Sequence, residues 1–338
     1  MASNELKSVA QAMVAPGKGI LAADESFPTI KKRFDSIKIE STEENRRAYR
    51  ELLFTTAEAE THISGVITFD ETLRHATKDG TPFPRLLSDA GIIPGIKVDN
   101  GAKPLAGFPD ERVTEGLDGL RDRLAEYYKL GARFTKWRAV IKIGHGIPTG
   151  FCLDANAHAL ARYAALSQEA GLVPIVEPEV LMDGEHTIER CERFTEATLS
   201  HVFFQLLAHR VALDEMVLKP NMVIAGKDCP EQAGVSEVAE ATVRCLLRTV
   251  PAAVPGIVFL SGGQSAKLAT QHLNAMNGLG DQPWQLSFSY GRALQEEALT
   301  AWKGSNANTG AAQDAFLHRA RCLGAARYGK YSEAMEAA

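Results

Sequence analysis

Lys219 stands in the run MVLKPNMVI, with apolar residues on both sides. Desolvation and neighbouring cations both lower a lysine pKa. A fall from ~10.4 to ~7 costs the ammonium about 4–5 kcal/mol relative to the amine. The neutral amine can attack a ketone and form a Schiff base. Pro220 restricts Lys219 to extended backbone, and Pro178 does the same for Glu177. A buried ion pair between Lys219 and Glu177 is the plain alternative, and the two readings are compatible.

Other charged residues fall at the ends of short apolar runs: Asp24-Glu25-Ser26, Lys97-Val98-Asp99, Lys136-Trp137-Arg138 and Glu177-Pro178-Glu179. Residues two apart in a strand share a face, so Lys136 pairs with Arg138, Glu177 with Glu179 and Lys97 with Asp99. Isolated ions in an apolar interior are too costly, so these groups must be paired, solvated or neutral. Any one of them alone reads as a snorkelling lysine or a helix-capping aspartate. Their agreement at five strand ends points to a site.

Two glycine turns lead from a strand into a helix: Ser261-Gly262-Gly263-Gln264 and Ser289-Tyr290-Gly291-Arg292. Backbone N–H groups at helix starts bind phosphate, and arginine adds a planar fork. Lys31-Lys32-Arg33, with Lys97, forms a second basic group. Two anion sites flanking a nucleophilic lysine imply a substrate phosphorylated at both ends.

The elements that must hold these residues alternate. Strands are expected at Ile20–Asp24, Gly65–Phe69, Gly95–Asp99, Phe134–Ile143, Val173–Pro178, Val217–Val223, Ile257–Ser261 and Gln285–Ser289. Helices are expected at Thr42–Glu60, Glu115–Leu130, Ala155–Ala170, Thr187–Ala208, Val235–Thr249, Ser265–Asn277, Arg292–Trp302 and Ala311–Gly324. Gly131 and Gly171 sit where two helices would stop. Eight alternations without a composition break predict one α/β domain, a closed (β/α)8 barrel over residues 1–330. A doubly wound open sheet is the alternative. Residues 331–338 read as a mobile tail.

The chain has 338 residues, 45% hydrophobic and 23% charged, with 37 Lys and Arg against 42 Asp and Glu. That composition suits a soluble globular protein and is a poor match to nucleic acid or an anionic membrane. No window of about 18 apolar residues marks a transmembrane helix, and the N-terminus does not read as a signal peptide. The five cysteines are scattered without a C-x-x-C, which suits a reduced, cytoplasmic protein. His201 and His209 would lie about 12 Å apart on one helix, and no metal-ligand spacing is evident.

Together these segments resemble class I fructose-bisphosphate aldolase. The matching stretches are GKGILAADES (17–26), TEENRR (42–47), GIKVD (95–99), PLAG (104–107), KWR (136–138), PIVEPE (174–179), LKPNMV (218–223), FLSGGQS (259–265) and SFSYGRAL (287–294). They run in order over nearly the whole chain, and the family fold is the same barrel. The resemblance implies reversible cleavage of fructose 1,6-bisphosphate to dihydroxyacetone phosphate and glyceraldehyde 3-phosphate, without metal or other cofactor. It implies Lys219 as the Schiff-base lysine, Glu177 as the acid/base at the carbinolamine, Lys136 as its charged partner and Glu179 as a supporting carboxylate. Asp24 would take the C4 hydroxyl proton. Ser261, Gly262, Gly263, Ser289, Gly291 and Arg292 match the C1-phosphate site. Ser26, Arg33, Lys97 and Arg138 would serve the other phosphate or the sugar hydroxyls. The family also suggests a homotetramer.

Two departures stand out. Phe27-Pro28 follows Ala-Asp-Glu-Ser where small flexible residues are usual, so a stiffer, bulkier loop is expected. The chain ends in two alanines rather than a tyrosine, so a proton step assisted by a terminal tyrosine does not carry over. An isomerase with a merely paired Lys219, and a protein-binding scaffold, are the competing classes.

Overall fold

The computed structural model describes residues 2–337. Eight parallel strands close into a barrel: β1 (Gly19–Ala23), β2 (Ile63–Thr68), β3 (Ile93–Lys97), β4 (Phe134–Ile141), β5 (Val173–Val180), β6 (Val217–Leu218), β7 (Gly256–Phe259) and β8 (Gln285–Tyr290). Each strand pairs with its sequence neighbours, and β8 closes on β1. The open sheet is therefore excluded. An antiparallel hairpin, Ala102–Pro104 with Arg112–Thr114, follows β3.

Alternation along the strands sorts the side chains into two cores. Leu21, Val66, Ile96, Trp137, Val176, Leu218, Ile257 and Phe259 face outward and pack under the helices. Ile20, Ala22, Ile67, Phe134, Val173, Ile175, Val217 and Val258 face inward. Leu6, Ala10, Met13 and Val14 close this inner core from the helix Ala2–Met13 and the residue after it. Phe134 leans its ring over the neighbouring β3 and leaves no room for a side chain at its register partner Gly95. A Cβ on Gly95 would lie 2.2 Å from its ring.

Several expected boundaries moved, each for a local reason. The strand read as Val217–Val223 ends at Leu218. Pro220 has no N–H, and side chains then take over the pairing. The Val180 N–H donates to Asn221 Oδ1 at 2.9 Å, and the Val223 N–H donates to Thr242 Oγ1 at 2.9 Å. The helix read from Glu115 begins at Leu120, because residues 112–114 belong to the hairpin and Gly116 and Gly119 have positive φ. Gly131 and Gly171, also at positive φ, follow two helix ends as expected. Phe27-Pro28 is not a loop. It opens the helix Phe27–Ser36, where proline in the first turn loses no helical hydrogen bond.

The last segment, read as a mobile tail, is docked through residue 337; Ala338 lies outside the described residues. Arg319, buried in the helix Thr309–Ala326, pairs with Glu336 at 2.6 Å, and the Tyr331 hydroxyl donates to the same carboxylate at 2.6 Å. Lys267 pairs with Glu333 at 3.2 Å, and the Gln271 amide donates to it at 2.8 Å. Among the described residues no helix is long and apolar enough to cross a membrane.

Candidate active site

The inner face turns from apolar to charged within one step of two residues. Ala22 is followed by Asp24, Phe134 by Lys136 and Arg138, Ile175 by Glu177 and Glu179, and Val217 by Lys219. The charged half lies at the C-terminal ends of the strands, the usual catalytic face of this fold. Register completes the grouping. Lys97 of β3 stands opposite Lys136 of β4, and the Lys219 N–H donates to the Val176 carbonyl, which brings Lys219 beside Glu177.

Four of these groups form one buried chain. Lys136 Nζ lies 2.7 Å from Asp24 Oδ2 and 3.2 Å from Glu177 Oε2. Glu177 Oε1 lies 3.2 Å from Lys219 Nζ. Burial alone would raise the Asp24 carboxyl, but Lys136, Lys219 and Lys97 overcome it and hold it down at about 2. Burial also opposes ionisation of Glu177, and Lys136, Lys219 and Arg138 reverse that, so its carboxyl lies below the usual range. Lys136, despite burial, is held above the ordinary lysine value by Asp24, Glu177 and Asp99. Lys219 goes the other way. Burial and the charge of Lys136 lower it, against the pull of Glu177 and Asp24. Of these two lysines, Lys219 is the one pushed toward a neutral amine.

A cavity of about 570 Å³ opens above this chain. It is lined by Lys219, Glu177, Asp24, Lys136, Glu179, Arg33 and Arg138, and at its other wall by Ser261, Gly262, Gly263, Ser289, Gly291 and Arg292. Gly262 and Gly263 have φ of +54° and +83°, so the turn needs glycine at both. The turn is braced from behind: Arg292 Nη2 donates to the carbonyls of Gly263 and Gln264, and Gln264 Nε2 donates to the Ser261 carbonyl at 2.9 Å. Ser289 Oγ is buried on the cavity wall with no hydrogen-bond partner among the described residues. Such an orphaned hydroxyl, beside backbone turns at a helix start, suits an anionic ligand.

An adjoining cavity of about 650 Å³ shares Asp24, Arg33, Lys136, Arg138 and Gly291, and adds Ser26 and Lys97. Each charged group here has a support. Arg33 pairs with Glu25 at 2.8 Å, Lys97 with Asp99 at 2.7 Å, and Arg138 with Glu179. Lys31 and Lys32 are exposed on the outer side of the helix Phe27–Ser36, and Lys31 is tied to Asp35. Sequence reasoning missed the role of Glu25, which also takes Arg50 and the Gln295 amide. Its place between Asp24 and Ser26, in the charged run just past the end of β1, is the signal that was available. Met182, Asp183 and Lys227 also line the first cavity and lie in loops where no periodicity could mark them.

Among the described residues, two groups of potential metal ligands gather elsewhere, His318 with Cys322 and Glu336, and Glu43 with Glu71 and His75. Neither lines the cavities. Tyr328 lies against Gly17, ahead of β1 and so at the opposite end of the barrel.

Fold and site together define a barrel with a buried lysine pushed toward the neutral amine, set between a wall of glycine turns and a wall of basic side chains, an arrangement suited to Schiff-base chemistry on a phosphorylated carbonyl compound. Comparison with known proteins gives the family. Residues 5–338 match the family model "Fructose-bisphosphate aldolase class-I". A "Probable fructose-bisphosphate aldolase class 1" from Xanthomonas campestris is 62% identical over 98% of this chain and 99% of its own. A fructose-bisphosphate aldolase from Echinococcus multilocularis is 55% identical over 99% and 93%. A solved structure of the Plasmodium falciparum fructose-bisphosphate aldolase, in complex with TRAP and a small-molecule inhibitor, superposes with a TM-score of 0.97 at 51% identity, over 98% of this chain and 96% of that one. The chain belongs to the class I fructose-bisphosphate aldolase family.

Proposed function

We propose that this chain is a lyase that reversibly cleaves fructose 1,6-bisphosphate into dihydroxyacetone phosphate and glyceraldehyde 3-phosphate through an imine at Lys219. The observation that carries the reading is the buried chain Asp24–Lys136–Glu177–Lys219, set between two basic walls.

The proton inventory gives each group a task. Glu177 begins ionised, 3.2 Å from Lys219. Transfer of one proton from the Lys219 ammonium leaves a neutral amine and a carboxylic acid. The amine attacks C2 of the open-chain ketose. A proton passes from the nitrogen to the new alkoxide, giving a carbinolamine. Glu177 then returns its proton to the carbinolamine hydroxyl, water leaves, and the iminium forms. Asp24, ionised at neutral pH, takes the C4 hydroxyl proton. The C4–O pair becomes the aldehyde carbonyl, and the C3–C4 bonding pair moves into the iminium to give an enamine. Glyceraldehyde 3-phosphate departs. Asp24 passes the proton it took to solvent, a proton from solvent adds at C3 to restore the iminium, and hydrolysis releases dihydroxyacetone phosphate and regenerates the Lys219 ammonium beside ionised Glu177. Lys136 stays charged throughout and favours the ionised form of both carboxylates, so each is a carboxylate before its proton transfer and returns to one after it.

The C1 phosphate is assigned to Ser261, Gly262, Gly263, Ser289, Gly291 and Arg292, and Glu179 acts through Arg138. Ser26, Arg33, Lys97 and Arg138 are assigned to the second phosphate and the hydroxyls. The cytosol is the proposed compartment, supported by five free cysteines and by a 54%-identical Arabidopsis thaliana relative named as cytosolic. A homo-oligomer is proposed on the large exposed side chains Phe151, Phe204 and Leu207. Coupled assay of triose phosphate release from fructose 1,6-bisphosphate, with and without EDTA, tests the reading. Cleavage unaffected by EDTA is expected. No cleavage, or cleavage abolished by EDTA and restored by zinc, contradicts it.

A further inference from the structure

Lys227 and Asp183 form an ion pair across the mouth of the cavity at its Ser261-Gly262-Gly263 wall. They come from the loops after β6 and β5. Backbone bonds zip these loops together: the Gly226 N–H donates to the His186 carbonyl at 2.7 Å, Lys227 to Met182 at 2.8 Å and Asp228 to Gly184 at 3.1 Å. The zipper is close enough that a Cβ on Gly226 would lie 2.2 Å from the Gly184 carbonyl oxygen. Met182 in turn sets its sulfur against the glycine turn, 3.0 Å from where a Gly263 Cβ would stand. The backbone of Lys227 is therefore fixed one residue contact away from the turn.

The charges lining the two cavities are unevenly committed. Lys136, Arg138, Arg33 and Lys97 are each held by a carboxylate that is nearly or fully buried. Arg292 is engaged with the carbonyls of the turn itself. Among the ion pairs of the cavity lining, Lys227–Asp183 has both members about half exposed, at 53% and 52%. An exposed pair of this kind is weak, because solvent screens it and two flexible side chains must be held in place. A dianionic phosphate arriving at the turn brings more charge than one carboxylate and offers the ammonium a stronger partner.

We propose that Lys227 is a second cation for the phosphate bound at the Ser261-Gly262-Gly263 turn, held in reserve by Asp183 until the phosphate arrives. Asp183 is then a competitor for the ammonium, not its structural anchor. The inference rests on the aldol-cleavage reading, because that reading places a phosphate at this turn.

The two roles give opposite signs. If Asp183 competes, Lys227→Met weakens phosphate binding and Asp183→Asn strengthens it. If the pair only ties two loops together, both changes act in the same direction. The test measures the concentration of dihydroxyacetone phosphate that half-saturates borohydride trapping, for the wild type and both variants, beside unphosphorylated dihydroxyacetone. Lys227→Met should raise the half-saturating concentration about three- to tenfold and Asp183→Asn should lower it about twofold, as for one partly exposed charge contact. The unphosphorylated ketone should be trapped alike in all three proteins. Movement of both variants in one direction, no movement in either one, or equal shifts with the unphosphorylated ketone overturns the inference. Failure of the wild type to trap either ketone would instead refute the underlying aldol-cleavage reading.

Discussion

Replacing Lys136 by methionine removes one ammonium from between two carboxylates and keeps the length of the side chain. Its contacts to Asp24 at 2.7 Å and Glu177 at 3.2 Å are each worth about 5–6 kcal/mol at an effective dielectric of 20, before desolvation is counted. Desolvation takes back much of this, and removal of one partner of a buried pair costs about 3–5 kcal/mol net. Part of that cost depends on pH. The Asp24 carboxyl is held at about 2 in the fold against 3.8 for the free group. At about 1.4 kcal/mol per unit, this is on the order of 2 kcal/mol of stability. The folded value is the depressed one, so the contribution is fully present above about pH 4–5 and is lost as pH falls through about 2. Lys136→Met abolishes the depression. Urea denaturation of both proteins at pH 7, 4.5 and 3 measures the gap between them. A gap of about 3–5 kcal/mol at pH 7 is expected to narrow by about 1 kcal/mol by pH 3. Loss of Lys136 also removes a cation that lowers Lys219, so the pH dependence of imine trapping should move to higher pH. A gap that stays constant from pH 7 to 3, with no alkaline shift in trapping, would refute the electrostatic account of this chain.

Arg292→Ala should lower kcat/KM for the bisphosphate by about 10–150-fold, the loss of a charge-assisted contact, with little change for a ketose lacking the C1 phosphate. Steady-state kinetics on both substrates checks this, and equal losses would show that Arg292 serves mainly to brace the turn through Gly263 and Gln264. Deletion of residues 332–338 removes Glu336 and leaves Arg319 buried without its carboxylate, so the urea midpoint should drop. Exchange of the C3 proton of dihydroxyacetone phosphate should nevertheless stay within about threefold, under ~0.7 kcal/mol of barrier. A hundredfold collapse of exchange with intact imine formation would mean that the segment reaches the site.

The inward-facing chemistry was legible because strand parity is strict. Once Phe134 and Ile175 are inside, Lys136, Arg138, Glu177 and Glu179 must be inside as well, and the same step carries Val217 to Lys219. The helix stops at Gly131 and Gly171 were equally local signals. Four features were hidden for physical reasons. The helix Ala2–Met13 owes its place to the open end of the barrel that it closes. The helix at Phe27 was masked by a proline, which disfavours helix interiors but is well placed in a first turn. The docked C-terminal segment depends on buried Arg319, whose partner Glu336 lies 17 residues away and shares no local pattern with it. The loop pair of Asp183 and Lys227 was invisible for a similar reason: only the barrel brings the ends of β5 and β6 together.

The central claim is that Lys219, and neither Lys136 nor Lys97, is the nucleophile. Incubation with fructose 1,6-bisphosphate or dihydroxyacetone phosphate, reduction with borohydride, and peptide mapping by mass spectrometry tests it directly. The account predicts one substrate-dependent adduct per chain, on the peptide containing Lys219 and absent from a Lys219→Met variant. An adduct on Lys136 or Lys97, or no adduct in a protein that still cleaves the bisphosphate, would contradict it.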